Sequence, residues 1–177
     1  MEFTDQQTEI ITELQQRIQQ SEHLTDEFIS RFCKVFDGLI FTDLVGVGGT
    51  RFVIVHPELK PNGSAKVLKV AFNDDGLVGN LDEFRLYTES PEHIKEHLGV
   101  CHGVYFDGLI LEMDAYQNIS ESDFPDYEDQ LNDILEHIHF PHYQDPPYHH
   151  SFGLNSDGKL ILMDYGETET FVLKQNS

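Results

Sequence analysis

Lys159-Leu160-Ile161-Leu162-Met163-Asp164-Tyr165-Gly166 is the stretch on which the fold turns. Residues 159–163 read as a short strand with an apolar run at its centre. The turn Asn155-Ser156-Asp157-Gly158 just before it makes this strand part of a hairpin. An acid, an aromatic and a glycine therefore stand at the end of a buried hairpin strand. That triplet also occurs in ordinary turns, so its meaning depends on what the rest of the chain supplies.

Upstream the chain divides by period. Residues 4–20 read as a helix: Thr4 can cap it, and Ile10, Ile11, Leu14 and Ile18 recur at helical spacing. A second helix starts at Thr25 or Asp26, carries Phe28, Ile29, Phe32, Val35 and Phe36, and ends at Gly38. These helices form an N-terminal extension over residues 1–38. Packing against the rest is the plain reading, and a dimerisation or partner-binding arm the alternative. From Leu39 the pattern is that of strands: 39–45, 52–56 and 65–72, with Gly46-Val47-Gly48-Gly49 between the first two. Gly76 to Gly79 read as a loop. Asn80 or Asp82 then opens a helix to Tyr87, and residues 91–98 form another. A hairpin over 103–106 and 109–113 turns at Asp107-Gly108. Residues 124–137 are helical, with Tyr127, Leu131, Ile134, Leu135 and Ile138 on one face.

Composition limits what the chain does. It has 177 residues, enough for one sizeable core. No run of about 18 apolar residues is present, so a membrane span is not expected, and the acidic, polar N-terminus is no signal peptide. Cys33 and Cys101 lack metal-site spacing and read as reduced, buried thiols of a cytoplasmic protein, with a single disulfide as the alternative. Against 32 acids stand 11 bases, seven of them Lys, for a net charge of −21. Nucleic acid and anionic membranes are poor partners for such a surface. Solubility, adaptation to concentrated salt and mimicry of nucleic acid against a basic partner are the three readings of this charge. The scatter of the acids along the chain favours the first two.

In order and spacing, residues 39–166 resemble a protein kinase, reduced in size. Asp164-Tyr165-Gly166 resembles the D-F-G triplet, which implies Asp164 as a Mg²⁺ ligand. Gly46-Val47-Gly48-Gly49-Thr50-Arg51-Phe52-Val53 resembles the glycine loop, with Gly46, Gly48 and Gly49 near the phosphates. Arg51 replaces the third glycine there, and its side chain either clasps a phosphate or fills the cleft. Ala65-Lys66-Val67-Leu68-Lys69 resembles the V-A-I-K strand: Lys69 is implied to touch phosphate and to pair with Glu83, with Glu89 in reserve, while Lys66 faces away. The resemblance also implies that backbone groups of Glu112 to Asp114 meet an adenine edge. The expected fold is thus α+β and protein-kinase-like: an antiparallel sheet with its helix over 39–114, a reduced helical lobe with a catalytic-loop-like hairpin over 115–177, and two extra N-terminal helices.

The catalytic loop departs from that family. Counting back thirteen positions from Asp164, the metal-binding Asn of H-R-D-x-x-x-x-N falls on Ser151, and the catalytic Asp falls on Pro146. Proline has no proton acceptor on its side chain. Asp145, one position earlier, is the residue that could serve as base instead. Around residues 152–166 the chain is similar to small bacterial and viral kinase-like proteins. The resemblance therefore implies a pseudokinase-like regulatory or interaction module acting on an unidentified protein partner, with ATP and Mg²⁺ as its implied ligands. The alternatives are a minimal ATP-dependent phosphotransferase using Asp164, Lys69 and Asp145, and an acidic viral decoy for a basic partner. His137, His139, His142, His149 and His150 lie close in sequence, but adjacent histidines seldom share a metal, and solvated histidines are the expected reading.

Overall fold

The computed structural model describes residues 2–36, 39–40, 49–56, 66–139, 149–165 and 172–173. Gly46, Gly48, Asp145, Pro146, His142 and Gly166 lie outside the described residues. Helices α1 (Asp5–Gln19) and α2 (Asp26–Val35) come first. Strands β1 (Leu39–Ile40), β2 (Arg51–His56) and β3 (Lys66–Ala71) follow, then helix α3 (Asp74–Glu89) and the single turn α4 (Glu92–Lys95). Strands β4 (Cys101–Tyr105), β5 (Ile110–Asp114) and β6 (Gln117–Asn118) lead to a 3-10 turn, Phe124–Tyr127, and helix α5 (Glu128–His137). Strand β7 (Ile138–His139), a second 3-10 turn at His149–Ser151, and strands β8 (Phe152–Leu154), β9 (Leu160–Leu162) and β10 (Val172–Leu173) complete the order.

The fold class is α+β. Its centre is a five-stranded antiparallel sheet in the order β1-β2-β3-β5-β4. Strand alternation gives this sheet two apolar faces. On one face Phe52 opposes Val70, Ile54 opposes Leu68, and Val70 opposes Ile110. Helices α1 and α2 close that face with Ile10, Ile11, Leu14, Phe28, Phe32 and Phe36. Phe32 stacks on Phe36 with centroids 4.8 Å apart and meets Phe52 edge-on at 5.5 Å. The extension is thus part of the core of the sheet. Thr4 caps α1 through a capping box with Gln7, and Thr25 caps α2.

On the other face Val67, Leu111 and Met113 meet α3, α4, α5 and the β8–β9 hairpin, in a second cluster with Leu98, Ile134, Phe152, Leu160, Leu162 and Tyr165. Cys33 and Cys101 are free buried thiols, one in each cluster. Among the described residues no helix is long and apolar enough to cross a membrane.

Three local expectations need correction. Gly76 and Gly79 lie buried inside α3, not in a loop. The helix begins six residues before Asn80, because the Asn73 side chain accepts from the Gly76 N–H and Asp74 and Asp75 suit the positive end of the helix dipole. A methyl added at Gly76 would overlap the Thr50 carbonyl oxygen and lie 3.0 Å from Ala71 Cβ, so only glycine lets the helix sit this close to the sheet. The helix expected over 91–98 is one turn, Glu92–Lys95. The helix expected from Phe124 starts with a 3-10 turn and becomes α-helical at Glu128.

Candidate functional site

The site begins with side-chain alternation in β3. Lys69 shares a face with Val67 and so projects away from α1 and α2, toward α3. Helix α3 presents Glu83, a fully buried carboxylate, back to it. Lys69 Nζ lies 3.0 Å and 2.8 Å from the two Glu83 oxygens. The same ammonium donates to the Met163 carbonyl at 2.7 Å and lies 3.5 Å from Asp164 Oδ1.

Arg51, the first residue of β2, completes the group. Its Nη1 donates to Glu83 Oε1 at 2.7 Å and to Asn80 Oδ1 at 3.3 Å, and its Nη2 donates to Asp164 Oδ1 in a short contact. Arg51 thus bridges the two carboxylates. Two cations and two carboxylates therefore form one neutral quartet, in which each carboxylate meets both cations.

Asp164 is held there by its neighbours. Leu162 is clipped on both sides: its N–H donates to His97 O at 2.9 Å, and its carbonyl accepts from Gly99 N–H at 2.8 Å. The backbone N–H groups of Met163 and Asp164 both donate to Ser151 O, at 2.7 Å and 3.3 Å. Tyr165 is buried, its hydroxyl donates to Gly99 O at 2.8 Å, and it lies 3.1 Å from Cys101 Sγ. Burial pushes the Cys101 thiol up to about 12, which makes it a poor nucleophile at neutral pH.

At Asp164 burial acts to raise the carboxyl pKa, but Lys69 and then Arg51 outweigh it and hold the group well below the usual carboxylate range. Two unit charges about 4 Å apart interact by about 4 kcal/mol at an effective dielectric near 20. Any further cation at Asp164 must contend with repulsion of that order from each of the two already present.

The other expected residues are spread more widely. Ser151 is buried just before β8, and its carbonyl faces Asp164. Gly49 lies against α3, its carbonyl accepting from Asn73 Nδ2 at 3.1 Å. The Glu112 carboxylate bonds Lys66 and Tyr105 away from the quartet, on the face covered by α1 and α2, where Lys66 was expected to point. The Asp114 N–H donates to Val100 O at 2.9 Å, and its carboxylate accepts from His102 Nε2 at 2.7 Å. Strand β5 is interior, bonded to β3 and β4, so the backbone of Glu112 to Asp114 is already engaged by neighbours. Glu89 is exposed at the end of α3. Asp145 lies outside the described residues.

Two contributors escape sequence reasoning. Asn80 is fully buried, and its Nδ2 donates to Gly108 O at 2.7 Å and Lys69 O at 3.2 Å while its oxygen accepts from Arg51. The signal was its place one helical turn before Glu83, on the same face. The Met163 carbonyl has no sequence signal at all. Among the described residues no group of three or more His, Cys, Asp and Glu could hold a metal ion, and His149 and His150 pack edge to face at 5.4 Å. No protein-family model and no curated protein matches this chain.

Proposed function

We propose that this chain is a degenerate protein-kinase-like protein, which keeps a nucleotide cleft and acts as a regulatory or interaction module without transferring phosphate. The observation that carries the reading is the buried Lys69–Glu83 pair beside Asp164, between an antiparallel sheet and the helix that follows its third strand. That is the pairing of strand lysine and helix glutamate with a metal-site acid on which the kinase resemblance rests. The loss of transfer is read from Pro146 and Ser151, which stand where the family has its base and its second metal ligand. Arg51 adds to it by occupying the space between Glu83 and Asp164.

The test joins binding to turnover. ATP is expected to raise the unfolding midpoint by mass action, and Lys69→Ala is expected to reduce its affinity about tenfold or more, since a hydrogen bond to a charged group contributes about 1.5–3 kcal/mol. Labelled ATP should give neither autophosphorylation nor hydrolysis with Mg²⁺ or Mn²⁺. Turnover abolished by Asp164→Ala or Asp145→Ala would replace this reading with a minimal phosphotransferase.

A further inference from the structure

We propose that the cleft takes a nucleoside triphosphate free of metal, with Arg51 and Lys69 bringing to the polyphosphate the positive charge that a divalent cation brings elsewhere. This rests on the nucleotide-cleft reading above. Mg²⁺ at a nucleotide is held by one or two carboxylates together with phosphate oxygens and waters, and here the one carboxylate of the quartet with exposed surface, Asp164, already serves two cations. Asp164 Oδ1 already accepts from Arg51 and from Lys69, both Glu83 oxygens face Lys69, and Glu83 Oε1 also accepts from Arg51. The Ser151 carbonyl is engaged by the Met163 and Asp164 N–H groups. The two cations, by contrast, suit phosphate: guanidinium is a planar fork matched to oxyanions, and ammonium is a compact charge beside it.

The quartet is reached from one side. Glu83 has no exposed side-chain surface, whereas Asp164 keeps 37% of its own. A triphosphate entering there exchanges with the Asp164 carboxylate for Arg51, one oxyanion replacing another. Lys69 stays anchored on Glu83 and Met163 O through the exchange. Mg²⁺ would lower the charge of the incoming triphosphate and add a cation beside two others, so it weakens this exchange.

Calorimetric titration of the full chain with ATP, in EDTA and in excess Mg²⁺, tests it. Binding in EDTA should be at least as tight as in Mg²⁺. Arg51→Gln should weaken binding in EDTA tenfold or more, and Asp164→Asn, which removes the competing carboxylate, should tighten it. Binding that needs Mg²⁺, or that Asp164→Asn abolishes, overturns the inference and leaves the nucleotide cleft standing. No ATP binding in either buffer overturns both. The wild-type comparison decides by itself if the Arg51 variant fails to fold.

Discussion

At Asp164 burial favours the neutral acid, while Lys69 and Arg51 favour the carboxylate, and the two cations prevail. The sign of the resulting pH dependence follows. A folded-state pKa below the unfolded value contributes stability above the ordinary carboxylate value of about 3.9, and loses it as pH falls through the folded value. Wild type should therefore be more stable than Asp164→Asn at neutral pH. The gap should hold down to about pH 4 and close only in stronger acid. Denaturant melts of the two proteins at a series of pH values measure it; a gap that closes between pH 7 and 5 would show that the quartet is not what holds the charge. Lys69, Glu83 and Asp164 were singled out through the kinase resemblance, and strand alternation set the direction of Lys69 alone. Arg51 was legible only as a pair of alternatives, since a residue at the mouth of a loop has no period to aim it. For Glu112 and Asp114 strand membership alone says nothing of which backbone groups a neighbouring strand takes.

Helix α3 shows what a helix gains from having glycine where intrinsic propensity opposes it. Alanine at an exposed helix position is about 1 kcal/mol better than glycine. At Gly76 the new methyl would meet the Thr50 carbonyl and Ala71 Cβ, and overpacking of this kind costs about 1–3 kcal/mol. Gly76→Ala should therefore lower the unfolding midpoint despite its better propensity, and chemical denaturation would reveal the opposite sign if the helix could shift outward. The same competition explains why the start of α3 was placed too late. Two glycines three and six residues after the Asn73 cap read as a loop unless the approach of the sheet is known, and that approach is tertiary. The hairpins, in contrast, were plain in sequence, because Asn155 accepts from the Asp157 and Lys159 N–H groups within its own turn and Gly158 and Gly108 take positive φ.

With a net charge of −21, the whole molecule repels itself at low ionic strength. At 1 M salt the Debye length is about 3 Å, so this repulsion is screened, while the buried quartet is screened much less. The unfolding midpoint should rise from low salt to about 1 M KCl; a flat or falling midpoint would remove adaptation to salt as the reason for the acidity. That α1 and α2 would be helices was clear from their spacing. Where they would dock was not, because the open face of a sheet can be identified only after its strands are ordered. Finally, the clip on Leu162 separates two properties that are usually tangled. The strand leading to Asp164 is fastened by backbone bonds to His97 and Gly99 and by the buried Tyr165, none of which depends on charge. Neutralising a member of the quartet therefore changes the charge around Asp164 while the strand that carries it stays pinned. The chemistry of this site can be rewritten residue by residue on a frame that does not take part in the change.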